Sequence, residues 1–426
     1  MMLLKECKKI LTSIIYLIFI GTMVLFHVTQ FGDIVGYNIS QANSSSEYNP
    51  SNPLMIPPNG LENYGSTYAE IPEQVMPNVI RNLVIEYVSN EYHTYPIAFE
   101  KIVRLSEDKQ QIIKSLIEDI TGLSVQDALY KINEKTIQSH GVLQNYISYE
   151  GVITINVSYE DFKEKMTEIN KLLGGGSTYT LNNFKYYGRT PLTYEDKLNE
   201  YADLINEDKI TGSYARYFCD YMGIVAALFS IFVPVAFLMR DRRAKANEVI
   251  YSRKISTLKL LSSRYLALIL MMLIPFILLS LFPLVQLMTF GAKHNLPVDI
   301  FAFVRYIMVW IFPTILTTTS VAFFFTILTD TPIAILIQFI WSFICLSSTE
   351  LIGGYGLGIV IRHNGIGDFQ IYKDGIREIF LNRISYSCFA MIILLISMLI
   401  YEQKRRGRFD SGGSFHKIFK NFKGSN

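Results

Sequence analysis

The chain has 426 residues, half of them hydrophobic and only 18% charged, with a formal net charge of +2. Its apolar runs exceed the ~18 residues needed to cross a hydrocarbon core, which excludes an ordinary soluble protein and points to a polytopic membrane protein. The small net charge hides an asymmetry: residues 31–216 carry 25 acidic and 15 basic side chains. The basic surplus therefore lies beside the apolar runs, where it sets topology rather than binding nucleic acid. Cys7, Cys219, Cys345 and Cys388 are scattered in or near those runs and suggest neither a disulfide framework nor a metal cluster.

Residues 1–9, with Lys5, Lys8 and Lys9, precede a first apolar span over 10–30. A secretory signal has the same layout, and Ser40-Gln41-Ala42 could serve as its cleavage site, but the run is long for a signal core. An uncleaved first span with a cytoplasmic amino terminus is expected, with His27 at its outer interface. Residues 31–216 form an extracytoplasmic domain, α+β and mostly helical, entered through an Asn/Ser/Pro/Gly-rich linker over 38–68. Ile113, Leu116, Ile117 and Ile120 keep one helical face that Gly122 stops. Ser124 with Asp127, Ser158 with Asp161 and Thr193 with Asp196 have the spacing of helix N-caps. Ile153, Ile155 and Val157 alternate like a strand. Gly174-Gly175-Gly176-Ser177 suits a helix stop, since no Lys-Ser/Thr pair follows to make a phosphate cradle. Glu150, Glu160 and Asp161 could pair for acid–base work, but a solvated acidic surface accounts for them more simply.

The second span is expected over 217–239, with Asp220 at its outer mouth, and the third over 265–290, carrying Pro275 and Pro283 as kinks. An outer loop over 291–304 leads to a fourth span over 305–328, with Arg305 snorkelling to the headgroups. An inner turn over 329–332 starts the fifth span, 333–351, through Pro332. Gly353, Gly354, Gly356 and Gly358 break the apolar stretch that follows, while Tyr372, Ile376, Ile379 and Phe380 keep helical spacing among charges. Residues 352–383 thus read as a re-entrant hairpin and an interfacial helix. A sixth span over 384–401 and a basic tail over 402–426 close the chain. The fold class is an α-helical polytopic membrane protein with six transmembrane helices, both termini cytoplasmic. Glu350, near the outer end of the fifth span, is a possible functional intramembrane carboxylate, an interfacial one being the simpler reading.

The segment 240–264 concentrates Arg240, Arg242, Arg243, Lys245, Arg253, Lys254, Lys259 and Arg264 against only Asp241 and Glu248. It reads as a helix with Val249, Ser252, Ser256 and Leu260 near one face. Charge alone fits an ordinary positive-inside loop; the sharper reading is a docking helix for a cytoplasmic partner.

The layout resembles the permease subunits of ABC-2 type ABC exporters, the type V exporter fold: one span, a large extracytoplasmic insert, then five spans with re-entrant helices between the last two. Glu248, Tyr251-Ser252-Arg253, Ile255-Ser256, Leu260-Leu261 and Arg264-Tyr265-Leu266 resemble that family's coupling helix. One departure is the short stretch before the first span, where family members often carry a longer amphipathic connecting helix. The resemblance implies a permease that couples ATP hydrolysis on a separate ABC ATPase subunit to export of a peptide, antibiotic, lipid or similar amphiphile. Glu248, Ser252 and Arg253 would make polar contacts to that ATPase, and Ile250, Ile255 and Leu258 apolar ones. A second permease copy and membrane lipids would be the other partners, in a bacterial plasma membrane. With no GxxxxGK[ST] phosphate loop in the sequence, the chain is expected to be no enzyme and to hold no cofactor, ATP residing on the partner subunit. A non-transporting sensor or scaffold, its outer domain binding a ligand, is the rival reading. An intramembrane enzyme would need acid pairs or His clusters at membrane depth, which the spans nearly lack.

Overall fold

A computed structural model describes residues 2–44, 47–96, 100–138, 149–244, 247–346, 355–356 and 358–408. The chain divides into two compact units, Met1–Pro57 with Leu198–Asn426, and Pro58–Lys197. The first unit opens with helices α1 (Met2–Leu11), α2 (Ile14–Gln30) and α3 (Ile34–Asn43). The stretch before the first span is thus itself helical, with Glu6 and Ile10 on its buried face.

The Pro58–Lys197 unit holds β1 (Ser66–Tyr68), α4 (Pro72–Ser89), β2 (Tyr92–Thr94), β3 (Lys101–Val103), α5 (Glu107–Thr121), α6 (Val125–Gln138), α7 (Tyr159–Leu172) and β4 (Arg189–Pro191). Strands β1 and β4 pair antiparallel with Ser66 opposite Pro191, and β2 and β3 pair with Tyr92 opposite Val103. Its core is helical: Val75, Val79, Ile80 and Leu83 of α4 bury against Ile113, Ile117 and Ile120 of α5 and Phe162, Met166 and Ile169 of α7. The expected caps form. The amides of Asp127 and Asp161 donate to the hydroxyls of Ser124 and Ser158, each at 3.2 Å. Thr193 N donates to Asp196 Oδ2 at 2.9 Å, which holds that carboxyl below its usual range. Gly122 closes α5 in the left-handed region at φ 66°. The strand expected at Ile153–Val157 does not form. The alternation is real, with Ile153 buried, Ile155 and Val157 half-buried and Thr154 and Asn156 exposed, but no partner strand lies beside it among the described residues; Asn156 N instead donates to Ile120 O at 2.8 Å.

Helix α8 (Tyr194–Asn206) leads back to the first unit, which continues as α9 (Thr211–Leu228), α10 (Phe232–Arg243), α11 (Asn247–Tyr251), α12 (Thr257–His294), α13 (Ala302–Tyr306), a π turn over Ile307–Ile311, α14 (Phe312–Thr329), α15 (Ile333–Leu346) and α16 (Phe369–Arg405). Among the described residues five helical stretches are long and apolar enough to cross a membrane: Ile14–Asn43, Thr211–Arg243, Thr257–His294, Ala302–Thr329 and Phe369–Arg405. Where a fifth of six spans was expected over 333–351, α15 covers 14 residues, about 21 Å against a hydrocarbon core of about 30 Å; residues 347–354 lie outside the described set. The expected interfacial helix and sixth span are one continuous helix, α16. It runs unbroken through Gly375, with Ile379 buried and Ile376 and Phe380 exposed. The second span is broken at 229–231, where the freed Ala227 carbonyl accepts from Gln338 Nε2 at 3.0 Å and Ser342 Oγ at 3.3 Å of α15.

Helices α14 and α16 make the most extensive helix pair. The 314–320 stretch of α14 is rich in small polar residues, Thr314, Thr317, Thr318, Thr319 and Ser320, all buried. Small side chains let backbones approach, and the threonine hydroxyls at 317, 318 and 319 return their hydrogen bonds to the carbonyls four residues back at 2.7–2.9 Å. His27, expected at an interface, is buried, stacked on Phe31 at 5.3 Å and edge-on to Phe218. Arg305 ion-pairs with Asp299 at 2.5 Å.

Arg216 on α9 is fully buried and bidentate to Asp208, its Nη2 donating to Oδ2 at 2.6 Å and its Nη1 to Oδ1. It also donates to Tyr306 Oη and to Gly367 O, each at 3.1 Å, under the ring of Tyr372. Removing one partner of such a pair strands the other charge, at a cost of about 3–5 kcal/mol, whereas removing both does not. Asp208→Asn and Arg216→Met should each lower the unfolding midpoint of the detergent-solubilised chain markedly. The double variant should lose clearly less than the two single losses combined; additive losses would show that the pair is not coupled.

Candidate functional site

Two clusters at opposite ends of the first unit hold backbone that departs from helix. Around 355–368 the described residues form neither helix nor strand, and buried side chains supply many of their hydrogen bonds. Arg383 donates from Nη2 to the carbonyls of Gly358 at 3.1 Å and Ile359 at 3.2 Å, and from Nη1 to Trp310 O and Thr314 Oγ1, each at 3.0 Å. Asn382 donates to Gly356 O at 2.5 Å and Gly358 O at 3.1 Å. Trp310 Nε1 donates to Ile361 O at 3.0 Å and Thr314 Oγ1 to Ile359 O at 2.9 Å. The carboxylate of Asp220, expected at an outer mouth, is buried and accepts the amides of His363 at 2.9 Å and Asn364 at 2.7 Å. Tyr355 Oη and His363 Nδ1 share a hydrogen bond at 2.5 Å. Each of these replaces a partner that helix geometry or water would otherwise provide. A π turn over Ile307–Ile311 precedes Pro313, and the Trp310 carbonyl within it accepts from Arg383.

At the other end, the segment expected to be one helix over 240–264 is three pieces. Helix α10 runs on to Arg243, α11 is a five-residue helix, and Ser256 caps α12 by accepting from Lys259 N at 3.3 Å. The turn between α11 and α12 is held from outside by Arg405 at the end of α16. Its Nε donates to Tyr251 O at 3.0 Å, its Nη1 to Ile255 O at 2.7 Å and its Nη2 to Arg253 O at 2.7 Å. That fork takes three carbonyls that a continuous helix would have used internally. Glu402 accepts from Thr257 Oγ1, and Tyr401 packs edge-on to Tyr251 at 5.4 Å between ring centroids. Around this turn Arg264 pairs with Asp241 at 2.5 Å and Lys404 with Asp330 at 2.8 Å, while Arg242 lies 3.7 Å from Asp330.

With the backbone so held, the side chains named from the sequence face different ways. Leu258 is 64% and Val249 59% exposed, Ser252 and Arg253 are exposed, and Ile250 and Ile255 are half-buried. Glu248 contributes its backbone to α11, and Glu350 lies outside the described residues. Two apolar groups and several cations on a pinned turn make a surface suited to a partner rather than to chemistry. Arg405, Glu402, Arg383 and Asn382 were not singled out from the sequence. Arg383 and Asn382, polar groups at the head of an apolar run, carried the available signal.

The sequence profile that describes the ABC-2 family transporter protein matches residues 8–381. No curated protein and no solved structure gives a significant match. The match covers most of the chain and ends at residue 381, before Asn382, Arg383 and the Tyr401–Arg405 end of α16. The chain belongs to the ABC-2 transporter family.

Proposed function

We propose that this chain is the membrane-spanning permease subunit of an ABC exporter. In that reading two copies pair with two copies of an ABC ATPase, and α11 with the turn to α12 is the surface on which the ATPase pushes. The observation that carries it is the turn itself. Arg405 fixes its backbone through three carbonyls while Leu258, Val249 and Arg253 point outward. A surface that must transmit force needs a firm base and a free contact face, with geometry that differs between two states. Glu248, Ser252 and Arg253 make the polar contacts, and Ile250, Ile255 and Leu258 the apolar ones. In that reading the chain crosses six times, the fifth time within 333–351, so that both termini and the 240–264 segment are cytoplasmic and the Pro58–Lys197 unit is outside. The cargo is a peptide, antibiotic, lipid or similar amphiphile, with the acidic outer unit favouring cationic ones.

The test is affinity capture of the full chain from cells expressing its native partners, with the captured protein identified by mass spectrometry and assayed for ATP hydrolysis. Leu258→Asp with Arg253→Glu should reduce the recovered phosphate-loop ATPase about tenfold, the loss expected when about 1.4 kcal/mol of contact is removed. The unfolding midpoint should not change, because both side chains are exposed. Undiminished capture by the variant would contradict the assignment of the surface. No phosphate-loop ATPase with the parent chain would favour the sensor or scaffold reading.

A further inference from the structure

Three helices meet the turn at 251–257, and they differ as mechanical elements. Helix α10, which comes before α11 and this turn, follows a stretch already broken at 229–231, and α12 leaves the turn carrying Pro275 and Pro283, each of which removes a backbone hydrogen bond. Helix α16 runs 37 residues without a proline. Its far end carries the groups that hold the irregular 355–368 segment. Asn382 and Arg383 donate to the carbonyls of Gly356, Gly358 and Ile359. Gly375 lies so close under Tyr355 that a Cβ there would meet ring atoms at 2.3 Å. Its near end carries Arg405 on three carbonyls of the turn and Glu402 on Thr257. Arg383 and Arg405 are separated by roughly 33 Å along the helix at 1.5 Å per residue, close to a hydrocarbon thickness of about 30 Å.

Resting on the coupling reading above, we propose that α16 is the strut by which movement of the 251–257 turn is delivered to the 355–368 segment, with Arg405 as the positioning residue that locks the strut to the turn. Displacement of the turn reaches α16 through the guanidinium fork, because three hydrogen bonds in different directions resist sliding as well as separation. A stiff helix carries that displacement along its axis to Asn382 and Arg383, whose own hydrogen bonds pass it to the backbone at 356–359. The segment there is irregular and held by side chains, so it can exchange one set of partners for another without unwinding a helix. In this role Arg405 transmits what the ATPase does and contacts neither ATP nor cargo.

The experiment places a reporter at the far end. Gly356 is exposed and a Cβ there meets nothing within 4 Å, so Gly356→Cys is introduced with Cys7, Cys345 and Cys388 changed to serine; the remaining Cys219 is fully buried. The complex of this chain with its co-purifying ATPase is labelled with a polyethylene glycol maleimide, with and without ATP plus vanadate. Labelling of the Arg405 protein should change about fivefold or more on adding nucleotide, the scale of a coupling free energy of 1 kcal/mol and upward. Arg405→Ala should retain the ATPase within about twofold yet lose the nucleotide response. Arg405→Lys, a single point charge in place of the fork, should respond weakly, and it decides the matter if the alanine variant does not fold. A purely stabilising role would leave the response of the folded variants intact. A full response in both variants overturns the strut while leaving the coupling surface standing, and so does a parent complex that holds ATPase but shows no response. A parent chain that captures no phosphate-loop ATPase removes the coupling reading and the strut with it.

Discussion

The constraint on which this structure depends is that backbone N–H and C=O groups away from water must be paired within the protein. An unsatisfied group costs several kcal/mol in hydrocarbon, so each departure from helix inside the first unit demands a donor or acceptor of its own. The break at 229–231 is met by Gln338 and Ser342 on Ala227. The 355–368 segment is met by Asp220, Trp310, Thr314, Asn382, Arg383 and Arg216. These buried polar side chains are therefore not spare charge in an apolar bundle. They are the means by which non-helical backbone can exist there at all.

Seen this way, the polar residues of the unit sort by what they satisfy. Arg216 answers Asp208 and a carbonyl, and Arg383 answers four acceptors outside its own helix without any carboxylate. Arg405 does the same for the turn at the opposite end. Two of these three arginines belong to α16, and both bind backbone rather than acids. A guanidinium suits that task because its five donors lie in a fixed plane and its charge persists. Concentrating both on one unbroken helix links the irregular 355–368 segment to the 251–257 turn.

What the sequence makes legible follows from what is local. The N-caps at Ser124, Ser158 and Thr193 form because cap and acid lie within one turn, and Gly122 ends α5 because only its own φ is at stake. The apolar runs announce the spans because length and hydropathy are sums over neighbours. What fails is what depends on distant partners. Ile153 to Val157 alternate as a strand should, yet no second strand among the described residues meets them. The 240–264 segment has helical spacing, but Arg405, some 150 residues away in the chain, takes the carbonyls that would have continued it. The break expected between 383 and 384 is absent, because packing of Ile379 and Tyr372 accompanies one helix running through both stretches. The loop residues chosen for their motif do lie on a defined turn, and the residues that define it were hidden in the basic end of the last span, where charge density reads as topology alone.

Because family membership and the loop's surface meet in one claim, that the turn at 251–257 faces the cytoplasm while the Pro58–Lys197 unit lies outside, its sidedness is the measurement to make. Single cysteines at Ser252 and at Asn170, each in a chain otherwise freed of reactive thiols, would be exposed to a membrane-impermeant maleimide in intact cells and again after permeabilisation. The account requires Asn170→Cys to label in intact cells and Ser252→Cys to label only once the membrane is opened. Labelling of Ser252→Cys in intact cells, with Asn170→Cys protected, would invert the topology and contradict the placement of the coupling surface.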